Sequence, residues 1–210
     1  MRFKDRIEAG KKLAEKILEY VKEEAIVLAI PRGGVIIGQE IAKKLDCQLD
    51  VIVSKKITPP RYPEYAIGAI THDGTIFQSK NWKKFSSEPD FDEEVNQKKL
   101  EVKRRIEEYR GNSEYDFDYK TVILVDDGIA TGATVIVLLK WLSTQNIKKV
   151  ILAIPVIPQD TLQKIKPMMN SIITLETPKE FSSVGQFYEE FEQVPDEEVM
   201  NILSNFKKWR

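Results

Sequence analysis

The residues best suited to chemistry in this chain are two adjacent carboxylates between a strand-like run and a loop of small residues. The apolar residues 122–125 predict a buried strand, and Asp126 and Asp127 follow it directly. Gly128 and Gly132 let the backbone turn tightly and approach a ligand closely. A helical pattern follows, and a helix N-terminus favours an anion by about 0.3–1 kcal/mol. Carboxylates beside an anion site predict a ligand with hydroxyls and a phosphate, such as a sugar phosphate.

The loop does not fit two common nucleotide-binding motifs. No G-x-x-x-x-G-K-[ST] sequence occurs, which excludes a P-loop. The glycines at 128 and 132 stand four residues apart, with Ala130 where a G-x-G-x-x-G motif needs its central glycine. The acidic strand and glycine loop of a methyltransferase would need that glycine as well.

Two basic motifs follow other predicted strands. Arg32, Gly33 and Gly34 come after the apolar residues 25–30, and Lys55 and Lys56 come after residues 50–54. An arginine fork with glycine amides suits phosphate oxygens, although a plain turn with a surface arginine is the alternative. The lysine pair is either an anion contact at a strand end or a solvated basic pair.

These motifs need an α/β framework to hold them in place. Strand and helix patterns alternate, which predicts a parallel sheet flanked by helices within one domain over 1–210. We expect its core at about 23–78 and 119–176, a helical insertion at about 86–112 and a C-terminal extension at about 177–210. The patterns predict helices over 5–22, 35–45, 88–110, 133–145, 160–165 and 196–206, strands over 25–30, 50–54, 121–125, 150–154 and 172–175, and a hairpin over 65–78.

Composition narrows the classes of partner. The chain has 32 basic and 33 acidic residues, so its charge does not favour nucleic acid or an anionic membrane. Cys47 is the single cysteine, which excludes an internal disulfide and a multi-cysteine metal site, and we interpret it as a structural thiol. No signal peptide opens the sequence and no apolar stretch approaches about 20 residues, so we expect a soluble, cytoplasmic protein.

Two aromatic features leave alternatives open. His72 is the single histidine and precedes an Asp-Gly turn, which favours an exposed, idle ring over a catalytic one. The C-terminal aromatics could stack on a flat base or pack beneath the last helix. They are Phe181, Phe187, Tyr188 and Phe191.

Residues 122–134 resemble the phosphoribosyl-pyrophosphate (PRPP) motif of the type I phosphoribosyltransferases, with no departure at any position. The resemblance implies that Asp126 and Asp127 bind the ribose 2′- and 3′-hydroxyls and lie near Mg²⁺, which they hold through water. It assigns Arg61 and Glu64 to a mobile loop that closes over PRPP. It implies a 5′-phosphate loop of Gly128, Ala130, Thr131, Gly132, Ala133 and Thr134, and diphosphate contacts from Arg32, Gly33, Gly34, Lys55 and Lys56.

The whole chain also resembles a little-characterised group of bacterial and archaeal predicted phosphoribosyltransferases. Its marks here include residues 3–6, 30–35 and 64–69. The resemblance implies Mg²⁺-dependent transfer of 5-phosphoribose from PRPP to a nitrogenous base or other amine, with release of diphosphate. It does not identify the acceptor. A PRPP-binding regulator without transferase activity is the alternative, and a homodimer is expected because family members often form one.

Overall fold

The computed structural model describes residues 2–62 and 65–206, which divide into two compact units. The first contains residues 2–52, 116–131 and 145–206, and the second contains the described part of 53–115 together with 132–144. Glu64 of the predicted closing loop lies outside the described residues. The single domain with an insertion and an extension stays a prediction.

Seven α-helices, eight strands and two short 3₁₀ helices (Lys166–Met168 and Val184–Phe187) make up the regular structure of the described residues. In chain order the α-helices and strands are α1 (Arg6–Ile17), β1 (Ala25–Ala29), α2 (Gly33–Leu45), β2 (Gln48–Val51), β3 (Ser54–Ile57), β4 (Gly68–Thr71), β5 (Ile76–Gln78), α3 (Trp82–Phe85), α4 (Phe91–Arg110), β6 (Thr121–Val125), α5 (Ala133–Leu142), β7 (Lys149–Val156), α6 (Gln159–Ile165), β8 (Ser171–Glu176) and α7 (Asp196–Phe206). None of these helices is both long and apolar enough to cross a bilayer.

A parallel five-stranded sheet forms the centre of the first unit. Its order is β2-β1-β6-β7-β8, and β6 pairs with both β1 and β7. All five residues of β6 are buried, as expected for a strand covered on both faces. The chain leaves β1 toward one edge and β6 toward the other, so the strand order reverses between them. Ligands bind at such a switch point in open α/β sheets, outside the carboxyl ends of the strands.

Helices α1 and α2 pack closely together in the first unit. Helix α1 buries Ala9, Leu13 and Ile17, and Asp5 caps its first turn by accepting the Glu8 N–H at 2.7 Å. Gly10 permits the close approach, because a Cβ there would stand 3.2 Å from the backbone of Ile37. This packing fixes the start of α1 relative to the sheet.

The second unit contains a small antiparallel sheet in the order β3-β4-β5. Helix α4 buries Val102, Ile106 and Tyr109, and both α4 and α5 pack against β3 and β4. The hairpin predicted over 65–78 is confirmed as β4 and β5.

The parallel sheet flanked by helices confirms the predicted fold class, but some boundaries differ. Helix α1 ends at Ile17, five residues before its predicted end, and α4 begins at Phe91 because Asp90 takes a left-handed conformation at φ +66°. The predicted strand over 50–54 instead covers the last two residues of β2, the connecting residues Ile52 and Val53, and the first residue of β3. The apolar Ile52 and Val53 connect β2 and β3, which belong to two different sheets.

Candidate functional site

The two carboxylates lie where the central strand β6 ends. The Val125 carbonyl accepts the Ile30 N–H at 2.8 Å, and the chain then leaves the sheet. The Asp127 N–H donates to Asp126 Oδ1 at 2.8 Å, and this hydrogen bond holds the Asp126 carboxylate against the backbone of Asp127. Both side chains are only partly exposed. Two carboxylates therefore lie side by side at the switch point of the sheet.

The loop after β1 packs directly against this pair. A Cβ on Gly34 would lie 2.9 Å from both the Asp126 Cα and the Val125 carbonyl oxygen, and one on Gly33 would overlap the Asp127 carboxylate. Glycine is therefore required here by close approach. Helix α2 begins at Gly33, so its positive end lies beside the carboxylates. The structure thus brings together the predicted Gly33, Gly34, Asp126 and Asp127.

Arg32 occupies the turn that leads into this helix. The peptide bond between Pro31 and Arg32 is cis. The Arg32 side chain is about one quarter exposed, and its Nη1 lies 4.0 Å from Asp196 Oδ1 at the start of α7. An ion pair at this distance is weak, so an incoming anion could compete for the guanidinium.

Burial raises the pKa of both carboxyl groups. The pKa of Asp126 lies well above that of a free aspartate because of burial and, next, because of the charge of Asp127. The pKa of Asp127 is also raised, since burial outweighs the opposing effect of the Arg6 guanidinium. A ligand that brings hydroxyl donors or positive charge would relieve this unfavourable pair.

Two contacts with Asp127 were not predicted from the sequence: Arg6 was not assigned to the site, and Tyr188 was considered only for stacking on a base or for packing. Arg6 Nε donates to Asp127 Oδ2 at 2.7 Å, and Tyr188 Oη donates to the Asp127 carbonyl at 2.6 Å. Burial raises the pKa of Tyr188, so the phenol remains a neutral donor. Arg6 and Tyr188 are 121 and 61 residues away from Asp127, respectively, so no local spacing could indicate these contacts.

The first part of the predicted phosphate loop is held from several sides. A Cβ on Gly128 would come within 2.9 Å of Val184 Cγ2. The Ile129 N–H donates to the Val156 carbonyl at 2.9 Å, and the Ala130 carbonyl accepts from Thr161 Oγ1 at 2.7 Å. Thr131 is exposed. The backbone is thus anchored just before the exposed Thr131.

The other predicted site residues lie in the second unit. Gly132 has φ +77°, and α5 begins at Ala133, where the sequence predicted the start of a helix. The role of residues 132–134 in binding a phosphate stays a prediction. Lys55 and Lys56 do not follow a parallel strand, because both lie within β3. Lys55 forms an ion pair with Glu101 at 2.7 Å, whereas Lys56 is exposed. Their contact with diphosphate stays a prediction.

His72 is buried, so the expectation of an exposed ring was wrong. Only 8% of the residue is exposed, and its ring meets Tyr115 and Trp141 at centroid distances of 4.7 and 4.5 Å. Burial lowers the pKa of His72 to about 4. Its Nδ1 has no hydrogen-bond partner among the described residues. The ring is therefore neutral at pH 7 and belongs to an aromatic cluster.

The C-terminal aromatics pack among themselves and with the N-terminal segment. Phe181 and Phe187 stack at 5.9 Å, and Tyr188 lies 4.9 Å from Phe191 and 5.4 Å from Phe3. Tyr188 is buried and packs against Phe3 and Phe191, whereas packing of these aromatics beneath the last helix stays a prediction. Stacking of a base on the remaining rings stays a prediction.

Comparisons with known proteins agree with the fold class. A family model described as the phosphoribosyl transferase domain matches residues 3–189. A Mycobacterium tuberculosis H37Rv protein named "Putative phosphoribosyl transferase Rv0571c" is 35% identical over 204 residues, which cover 96% of this chain and 46% of that protein. The chain thus spans about half the length of the curated relatives it matches.

Solved structures extend the comparison to the architecture. The crystal structure of TT1426 from Thermus thermophilus has 32% identity and a TM-score of 0.81, covering 98% of this chain and 99% of that one. AQ2163 from Aquifex aeolicus has 13% identity and a TM-score of 0.50, covering 81% of this chain and 73% of that one, and it shares the fold alone. With its parallel sheet of type I topology, this chain belongs to the phosphoribosyl transferase domain family.

Proposed function

We propose that this chain transfers 5-phosphoribose from PRPP to a nitrogenous base or another amine and releases diphosphate. One observation carries the proposal: Asp126 and Asp127 end the central strand directly beside the glycine loop that opens α2. Paired carboxylates suit two neighbouring hydroxyls, and the amides at a helix N-terminus suit a phosphate. The family match supports the transferase class.

The proposed ligand contacts follow from this arrangement. Asp126 and Asp127 bind the ribose hydroxyls, and the amides and hydroxyls of residues 128–134 bind the 5′-phosphate. Arg32 and the N–H groups of Gly33 and Gly34 bind the diphosphate. Lys55 and Lys56 remain predicted diphosphate contacts from the family resemblance. A homodimer is likewise a prediction from that resemblance.

The reaction exchanges one bond at C1′ for another. A nitrogen of the acceptor forms a bond to C1′, the bond from C1′ to the diphosphate oxygen breaks, and the diphosphate leaves with the electron pair. The acceptor nitrogen gives up its proton to a base. Positive charge develops on the ribose ring, which fixed carboxylates stabilise, while Arg32 stabilises the leaving group.

The donor set at the pair fits Mg²⁺. This ion prefers oxygen ligands and usually binds through one or two carboxylates, with waters and substrate phosphates completing its shell. Asp126 and Asp127 are the residues that would hold it. When bound, the ion would neutralise negative charge on the diphosphate.

Diphosphate release tests the proposal. The chain is mixed with PRPP, MgCl₂ and each member of a panel of purines, pyrimidines and simple amines, and diphosphate is measured enzymatically. We expect release that depends on one class of acceptor. Calorimetry of PRPP binding is run in parallel, because tight binding without turnover for any acceptor would favour the alternative of a PRPP-sensing regulator.

A further inference from the structure

The Arg6 side chain is held by three contacts, of which one is with Asp127. Its Nε donates to Asp127 Oδ2 at 2.7 Å, its Nη1 donates to the Glu192 carbonyl at 2.8 Å, and its guanidinium carbon lies 3.9 Å from the centre of the Phe191 ring. The Arg6 side chain is only 11% exposed. These contacts use the planar fork and the stacking face that distinguish arginine from lysine. Arg6 is therefore held in one orientation.

The backbone that carries Arg6 is held by the C-terminal segment. The Phe3 N–H donates to the Phe187 carbonyl at 2.7 Å, and the Phe3 carbonyl accepts the Glu189 N–H at 2.8 Å. The Lys4 carbonyl accepts the Glu190 N–H at 2.9 Å. Phe3 itself is fully buried. Segments from the two ends of the chain thus join immediately before α1 and direct Arg6 toward the carboxylate pair.

Arg6 also makes the two carboxylates unequal. Among residues 2–62 and 65–206, Asp127 forms an ion pair with Arg6, and no ion pair is found for Asp126. One oxygen of Asp127 is engaged by the guanidinium, and its backbone carbonyl is engaged by Tyr188. The Arg6 guanidinium therefore both orients the Asp127 carboxylate and offsets part of its negative charge.

We propose that Arg6 is a positioning residue for Asp127, which it orients toward the pentose hydroxyls with one oxygen occupied. This inference rests on the proposed function, because it assumes that PRPP binds at the carboxylate pair. Arg6 acts through Asp127 and through its link to the C-terminal segment. It is not assigned a contact with the reacting atoms.

Calorimetric titration of PRPP in MgCl₂ tests the inference with matched variants. Arg6→Gln removes the charge and the fork, Arg6→Lys keeps the charge, and Lys11→Gln removes a charge from an exposed position of the same helix. We expect Arg6→Gln to weaken PRPP binding by about 10- to 100-fold, as is typical when a group that orients a ligating side chain is removed. Arg6→Lys should recover part of the loss, and Lys11→Gln should change affinity less than about 2-fold.

A double-mutant cycle with Asp127→Asn separates positioning from general damage to the fold. If Arg6 acts through Asp127, the Arg6→Gln loss shrinks strongly in the Asp127→Asn background. Equal losses in both backgrounds would overturn the inference, as would unchanged affinity in Arg6→Gln. If Arg6→Gln does not fold, the Arg6→Lys variant decides, because it keeps the charge but lacks the guanidinium fork. An Arg6→Lys protein that binds PRPP as tightly as the wild type would then overturn the inference. Failure of the wild-type chain to bind PRPP would instead reject the proposed function.

Discussion

The buried His72 predicts a specific loss of stability when the pH falls. In the unfolded chain the histidine has an ordinary pKa of about 6.5, whereas burial lowers the pKa of His72 in the folded chain to about 4. The nearby Asp73 raises this pKa and Arg110 lowers it, but both effects are smaller than that of burial. Between these two values the unfolded state binds more protons, so the stability falls as the pH drops from about 6.5 toward 4.

The magnitude follows from the two pKa values. Linkage gives a loss of about 2 kcal/mol between pH 7 and pH 5 for a fully enclosed ring. Solvent near the ring reduces the effect, so we expect about 1–2 kcal/mol. His72 is the single histidine of the chain, so no other imidazole contributes.

Urea unfolding at pH 7 and pH 5 measures this loss, with His72→Phe as the matched variant. Fluorescence reports on the region, because Trp141 lies 4.5 Å from the His72 ring. We expect the free energy of unfolding of the wild type to fall by about 1–2 kcal/mol more than that of His72→Phe. Carboxylates titrate in both proteins and cancel in this difference. Equal losses in the two proteins would refute the reasoning.

Two further predictions concern the glycine loop and the cysteine. Gly34→Ala should weaken PRPP binding in calorimetry by about 10-fold or more, because its Cβ would meet backbone atoms at 2.9 Å. In the control Gly38→Ala, the three atoms nearest the new Cβ belong to side chains and not to the backbone: Leu49 Cδ1 at 3.0 Å, and Ala29 Cβ and Val27 Cγ1 at 3.2 Å. This variant lies away from the carboxylates and should bind PRPP nearly as the wild type does. Burial raises the pKa of the Cys47 thiol to about 11. Its alkylation by iodoacetamide at pH 8 should therefore be roughly 100-fold slower in the folded protein than in the protein unfolded in urea. Equal rates in the two states would contradict this prediction.

The sequence was sufficient for features that depend on local order along the chain. The ends of β1 and β6 were predicted correctly. An apolar run precedes Asp126 and glycines follow β1, and a buried parallel strand requires continuous apolar residues. Parallel topology then brings the ends of β1 and β6 together. The contact between Gly34 and Asp126 follows from that neighbourhood.

Features that depend on distant partners could not be predicted in this way. The Asp-Gly turn after His72 indicated exposure, but Tyr115 and Trp141 cover the ring from elsewhere in the second unit. Because Ile52 and Val53 are apolar, nothing in the sequence indicated that β2 ends and β3 begins there. Lys55 was therefore predicted to follow a strand, although it lies within β3. Arg6 reaches Asp127 across 121 residues, and its sequence neighbours give no sign of that contact.

The most direct test of the central claim is ³¹P NMR of PRPP with the chain, MgCl₂ and pooled nitrogenous acceptors. The account predicts that PRPP signals fall while free diphosphate and a new phosphate monoester appear in equal amounts. The variant with both Asp126→Asn and Asp127→Asn should leave PRPP intact. PRPP that remains intact with every acceptor pool, or that the double variant consumes at the wild-type rate, would contradict the account.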